Sequence, residues 1–221
     1  MPDPTNRRPL ASRSTGWANM LSRRLAATSV TPNQISIIGI AAAALSGLLF
    51  WASGGADGVA RVVLLIAAAL FCQMRLLCNL LDGMVAIEAG RAAPDGAFWN
   101  EMPDRIEDAL ILLGVGLGVG ASGLGWAAVS FAFLTAYIRA FGVSLGQLAD
   151  FRGPMAKPHR MALITGAAVL TLFEPLWSGE GEVFRVALWI VILGAALTSA
   201  RRAWRLLQSL RHPAPPPKTN P

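Results

Sequence analysis

Six apolar stretches dominate the chain, near Ile35–Ser53, Val59–Cys78, Ile106–Gly123, Trp126–Leu148, Met161–Trp177 and Phe184–Leu206. Each approaches or exceeds the roughly 20 residues that a helix needs to cross about 30 Å of hydrocarbon. The pattern predicts an all-α integral membrane protein with six transmembrane helices. Ahead of them, Trp17, Met20, Leu21 and Leu25 recur at helical spacing with Arg23 and Arg24 beside that face. This predicts a short amphipathic helix over 17–27 lying on the membrane surface. Thr31-Pro32-Asn33 then breaks the chain, proline suiting either a turn or a helix start. Gly114, Gly116, Gly118 and Gly120 interrupt the third stretch; membrane helices tolerate such glycines, which permit close helix contacts. Residues 1–16 are polar and lack the apolar core of a signal peptide, and 211–221 are rich in proline. Both are expected to be disordered tails, leaving 17–210 as one membrane domain.

Composition agrees with the pattern. Of 221 residues 54% are apolar and 14% charged, against about 25% charged in an ordinary soluble domain. Mean hydropathy is +0.50. A soluble globule could not cover itself with so few charges, and a disordered chain would hold far fewer apolar residues. The two cysteines, Cys72 and Cys78, lie in an apolar run and read as small hydrophobes, which excludes a disulfide-stapled fold. A net charge of +6 invites a nucleic-acid reading, but the basic residues sit between apolar stretches instead of forming one face. With six spans, all of the 19 basic residues except Arg61 and Arg185 fall on the side of the termini. The positive-inside rule therefore places both termini in the cytoplasm. The excess of arginine over lysine hints at a GC-rich bacterial genome, and the expected location is a bacterial cytoplasmic membrane with the active site facing the cytoplasm.

Candidate chemistry concentrates in Asn79–Asp108, at the cytoplasmic ends of the second and third stretches. Asn79 and Asp82 are three apart and share a helix face. Asn100, Asp104 and Asp108 recur every four residues and form a second polar stripe. Two facing stripes of oxygen donors can hold a hard cation. Solvated helix-end acids are the competing reading, although a carboxylate stripe entering a membrane span is costly and favours a function.

This stretch resembles the CDP-alcohol phosphotransferases, membrane enzymes of phospholipid synthesis whose motif is D-x-x-D-G-x-x-A-R-x8-G-x-x-x-D-x-x-x-D. From Asn79 the spacing reaches Asp82, Gly83, Ala86, Gly96, Asn100 and Asp104 without insertion or deletion, and five of the eight defined positions match. Thr31-Pro32-Asn33 and six spans after a surface helix are similar to the family's architecture, so the resemblance covers all but the tails. It implies transfer of a substituted phosphate from a CDP-linked donor, CDP-diacylglycerol foremost, to an alcohol, with release of CMP. It further implies Mg2+ or Mn2+ held by Asp82, Asp104, Asn79 and Asn100, with Asp104 as general base and Gly83, Ala86 and Gly96 clearing space for the nucleotide. A homodimer is implied as well. Three positions depart from the motif: Asn79 and Asn100 replace aspartates and Ile87 replaces the arginine. Metal affinity is expected to fall, or a second metal to be lost, because an amide oxygen ligates without charge. Glu88, Asp95, Glu101 and Asp108 are acids placed to compensate, and Arg91 or Arg75 could stand in for the arginine. Pro103 fits best in a first helical turn; a helix starting near Gly96 would carry it inside.

A second polar cluster comprises Tyr137, Arg139, Lys157, His159 and Arg160. Arg139 lies within an apolar run and is expected to point into the bundle. Lys157 and Arg160 have two readings, snorkelling loop cations or, with Arg139, an anion pocket for a phosphorylated acceptor or lipid phosphate. Family members that use phosphorylated alcohols have comparable pockets. His159 lacks a second histidine partner for a metal site, and Trp99, Trp177 and Trp204 suit interfacial anchors. Two other functions compete with catalysis: an impaired relative that binds a nucleotide-lipid or supports a partner enzyme, and a solute transporter. The absence of an internal repeat and the boundary position of the polar groups weigh against transport.

Overall fold

The structure, a computed structural model, describes residues 15–88, 95–177 and 179–212, apart from the side chains of Ala97 and Asn100. The expected tails lie almost wholly outside these residues. Gly16 already opens the first helix and Arg211 closes the last.

Seven α-helices follow one another: α1 (Gly16–Ala26), α2 (Pro32–Ser53), α3 (Gly58–Glu88), α4 (Gly96–Gly118), α5 (Ser122–Ser144), α6 (Lys157–Thr171) and α7 (Glu182–Arg211). A short 3-10 turn, Glu174–Trp177, joins the last two. No strand occurs among the described residues. The outer surface is apolar, with Trp51, Leu70 and Leu193 each more than half exposed, as lipid contact requires. By length and hydropathy α2, α3, α5 and α7 can each cross a membrane. The other two expected spans are less clear-cut. The first turns of α4 carry the charged stripe, and the 15 residues of α6 extend only about 22 Å.

Helix α1 docks where its small residues permit. Ala18 and Ser22 are buried, Ala18 packing with Leu80 and Met84 of α3, while Trp17 and Met20 stay exposed. Of the apolar face read from the spacing, Leu21 and Leu25 pack against Cys78, Leu81 and Val85. Thr31 starts α2 with a full capping box: its hydroxyl accepts from the Gln34 amide at 3.2 Å. The Gln34 side chain accepts from the Thr31 amide at 2.9 Å, with Pro32 at the first helical position.

Helix α2 crosses α4 through glycines. A Cβ at Gly47 would strike the Leu110 carbonyl, and one at Gly114 would strike the Gly47 backbone. Close approach through small residues is how membrane helices gain packing energy without a hydrophobic driving force. Around that seam Phe50, Leu65, Ile111, Leu112, Met161 and Leu188 form the core. Cys72 and Cys78 are free and buried within the bundle.

Two boundaries differ from those the sequence suggested. Helix α3 continues ten residues past Cys78, to Glu88, and α4 begins ten residues before Ile106, at Gly96. Pro103 consequently lies inside α4, and its missing N–H deprives the Trp99 carbonyl of an intrahelical donor. The early start is set at Asp95, whose carbonyl accepts from Phe98 and Trp99 and whose carboxylate accepts from the Trp99 indole at 2.9 Å.

Candidate active site

The extensions of α3 and α4 place the polar stripes inside the bundle, where α6 and α5 close over them. At the deepest level Arg75 of α3 is fully buried. Its guanidinium donates to Glu107 of α4 at 2.6 Å and to Asp108 at 2.8 Å. Arg160 of α6 pairs with the other oxygen of Asp108 and donates to the Met155 carbonyl at 3.0 Å. Nearer the C-terminal end of α3, Asn79 donates to Glu107 at 2.6 Å and to the Arg75 carbonyl at 3.1 Å. Lys157, the first residue of α6, pairs with Asp104.

Charge balance explains how so many ionic groups tolerate burial. Arg75, Lys157 and Arg160 offset Asp104, Glu107 and Asp108, each charge having an opposite neighbour. Asp82 differs: it is 8% exposed and has no ion-pair partner among the described residues. Its carboxylate accepts from the Ser36 hydroxyl of α2 at 2.8 Å and from the Gly83 amide at 2.5 Å. Asp104 and Lys157 lie close enough to act on its charge.

Beside Asp104 is a cavity of about 30 Å³ whose lining includes Arg105, Arg139, Lys157, Arg160 and Arg202. That is room for no more than a water or two. Arg139 reaches into it from α5, donating to Glu101 at 2.5 and 2.6 Å, and lies 5.1 Å from the centre of the Phe151 ring. Glu101 also pairs with Arg105. The loop carrying Phe151 is tied to α7, with Arg202 donating to the Arg152 carbonyl at 3.0 Å and Arg205 pairing with Asp150. Partial burial pushes the Asp150 carboxyl up, but hydrogen bonds from Arg152 and Arg205 prevail and hold it below the usual carboxylate range.

The residues read from sequence therefore separate. Asp104 and Lys157 lie within electrostatic reach of Asp82, Asn79 joins them through Glu107, and Arg139, Lys157 and Arg160 share one cavity. Gly83 and Ala86 are half-buried near the end of α3, and a Cβ at Gly96 would meet nothing within 4 Å. The side chain of Asn100 and all of Arg91 lie outside the described residues. Tyr137 is not part of the cluster: it is 62% exposed and stacks on Phe141 with ring centres 5.8 Å apart. Of the compensating acids, only Asp108 joins the buried network. Glu88 pairs with Arg23 at 3.2 Å, Asp95 accepts from Trp99, and Glu101 is held by Arg105 and Arg139. Of the two candidate arginines, Arg75 is the one seen in the site, one turn before Asn79.

Sequence reasoning missed Glu107 and Ser36. Glu107 reads along the chain as another acid in a charged helix start, and Ser36 as one polar residue in an apolar run; only helix packing reveals their partners.

The metal implied by the family motif can be tested against these donors. Asp82 is a carboxylate with no ion-pair partner among the described residues, Asn79 offers an amide oxygen to which no described residue donates, and Asp104, paired with Lys157, is near enough to act on Asp82. No three His, Cys, Asp or Glu side chains among the described residues form a cage on their own. The set suits one hard divalent cation of incomplete protein coordination, the remaining positions being left to substrate oxygens.

No protein-family model matches the chain. Relatives are nevertheless clear. The phosphatidylinositol phosphate synthase of Cutibacterium acnes is 31% identical over 205 residues, covering 85% of this chain and 92% of the relative. That of Streptomyces avermitilis is 26% identical over 196 residues, covering 85% and 75%. The crystal structure of Mycobacterium tuberculosis phosphatidylinositol phosphate synthase with CDP-DAG bound superposes with a TM-score of 0.70 at 21% identity, covering 86% of this chain and 92% of that one. The same enzyme in complex with manganese and citrate gives 0.71 over 86% and 88%. These solved structures establish the fold, and the Cutibacterium relative, matched along nearly its whole length, establishes the kinship. The chain belongs to the CDP-alcohol phosphatidyltransferase family.

Proposed function

We propose that this protein transfers a phosphatidyl group from CDP-diacylglycerol to a phosphorylated alcohol of the inositol phosphate type, releasing CMP. The observation that carries the acceptor assignment is the cavity beside Asp104, where five cations line a space shared with only two carboxylates, Asp104 and Asp108. A phosphate monoester is the ligand such a surplus suits, since guanidinium groups grip it bidentately. The names of the relatives point the same way.

The cavity is too small for a phosphate while its ion pairs are closed. An entering phosphate would compete with Asp104 for Lys157 and with Glu101 for Arg139, opening the space it needs. Losing Lys157 would also free Asp104 to accept a proton. The acceptor hydroxyl then attacks the lipid-linked phosphorus; its oxygen forms the new P–O bond, its proton passes to Asp104, and the bond to CMP breaks with CMP taking the electron pair. Asp82, Asp104 and Asn79 would hold a divalent cation, Mg2+ or Mn2+, with Asn100 as a further family-motif position. When bound, it would neutralise charge on the donor diphosphate. Gly83, Ala86 and Gly96 would leave room for the nucleotide. Six membrane crossings, cytoplasmic termini and a homodimer complete this reading, with the site opening to the cytoplasm of a bacterial membrane.

Asn79 and Asn100 support a second reading, in which the protein binds the nucleotide-lipid without turning it over or supports a partner enzyme. CMP release by the purified protein in detergent separates the two, with CDP-diacylglycerol, Mg2+ or Mn2+ and a panel of free and phosphorylated alcohols. Metal-dependent release with a phosphorylated acceptor, abolished by Asp104→Asn, is expected. Donor binding without release would overturn the transferase reading in favour of the second.

A further inference from the structure

Glu107 is the most unusual side chain in the bundle. It is fully buried, and its Oε2 collects both the Arg75 guanidinium and the Asn79 amide at 2.6 Å. Its other oxygen, Oε1, has no hydrogen-bond partner and lies against α2, where a Cβ at Gly39 would come within 2.8 Å of it. Unsatisfied buried carboxylate oxygens are costly, so Glu107 demands an explanation beyond filling space.

The contact fixes the orientation of Asn79. Ionised Glu107 and the Arg75 carbonyl can only accept hydrogen bonds, so both must face the Asn79 NH2 group. The Asn79 carbonyl oxygen is thereby turned away from them. An aspartate at position 79 would instead set two carboxylates facing at hydrogen-bond distance.

We propose that Glu107 is a positioning residue for Asn79: the site's missing negative charge resides at position 107, paired with Arg75, and from there locks the Asn79 carbonyl outward as a neutral ligand. Asn79, Glu107 and Arg75 thus form one coupled unit, and the asparagine is a part of it instead of a simple loss from the motif. The metal consequence rests on the cation site under Proposed function; the coupling itself does not.

Three variants test this: Asn79→Asp, Glu107→Gln and the double variant. Metal-free thermal unfolding in detergent reads the coupling. N79D should lower the midpoint by several degrees. Adding E107Q should return more than half of that loss, because the side-chain amide it introduces can donate to the new carboxylate at position 79. If N79D does not yield folded protein, recovery of a monodisperse double variant is the same readout. N79D as stable as wild type, or a double variant no better than N79D, overturns the proposal. Mn2+ binding by electron paramagnetic resonance is the second arm. E107Q, which lets the Asn79 amide turn, should bind Mn2+ about 10- to 100-fold more weakly, and the double variant should bind at least as tightly as wild type. Equal Mn2+ affinity in wild type and E107Q also overturns the positioning role. No Mn2+ binding in any form would count against the cation site, and the unfolding data would still decide the coupling.

Discussion

Replacing Arg75 by methionine removes the guanidinium and keeps most of the stem volume, so it isolates the charge. Its two partners fare differently. Asp108 retains Arg160, whereas Glu107 has no other ion-pair partner among the described residues and keeps only the neutral Asn79 donor. One buried carboxylate is stranded, and breaking a buried pair from one side costs about 3–5 kcal/mol. Lys157, near enough to act on Glu107, favours the lower figure. For a chain of this size each kcal/mol moves the unfolding midpoint by about 2–4 °C, which predicts a drop of about 6–12 °C at about 3 kcal/mol. Fluorescence-detected thermal unfolding in detergent measures it. The double variant R75M/E107Q removes the stranded charge and should recover much of the loss. A midpoint for R75M within about 2 °C of wild type would refute the charge-balance reasoning. A double variant no better than R75M would assign the loss to packing.

Two further outcomes follow from other parts of the structure. Lys157→Met should cut kcat/KM for a phosphorylated acceptor about 10- to 100-fold, the value of one charged hydrogen bond, and should affect an unphosphorylated alcohol much less; steady-state CMP release with both acceptors checks it. Gly47→Ala should destabilise by about 3 kcal/mol or more, because its Cβ meets the Leu110 backbone carbonyl. Gly166→Ala in α6, where a Cβ meets nothing within 4 Å, should be neutral or stabilising by up to about 1 kcal/mol; their unfolding midpoints give the comparison.

Features that depend on neighbours along the chain were legible without coordinates. The apolar runs, the chain break at Thr31-Pro32-Asn33, the short helix before it and the glycine seam at 114–118 all follow from local periodicity and residue size. The motif register from Asn79 to Asp104 was equally visible, because the spacing of ligands on a helix is a property of sequence. Helix ends were harder. Charged residues in α4 resemble a loop until an inward-facing stripe pairs them, so α3 and α4 each ran about three turns further than the hydropathy implied.

Only the tertiary structure decided which charges meet. An ion pair between helices depends on their rotation and depth relative to one another, and neither is encoded in a single helix's pattern. Tyr137 and Arg139 are two residues apart, yet one stacks outward on Phe141 and the other enters the cavity. Glu107 and Ser36 carry no local mark of importance, but packing sets them against Asn79 and Asp82. The sequence determined a membrane bundle bearing a divergent phosphotransferase motif. The packing of α3 against α4 and α6 decided that the motif's missing charge is answered by Glu107 and Arg75, because a buried charge can persist only where another helix supplies its partner.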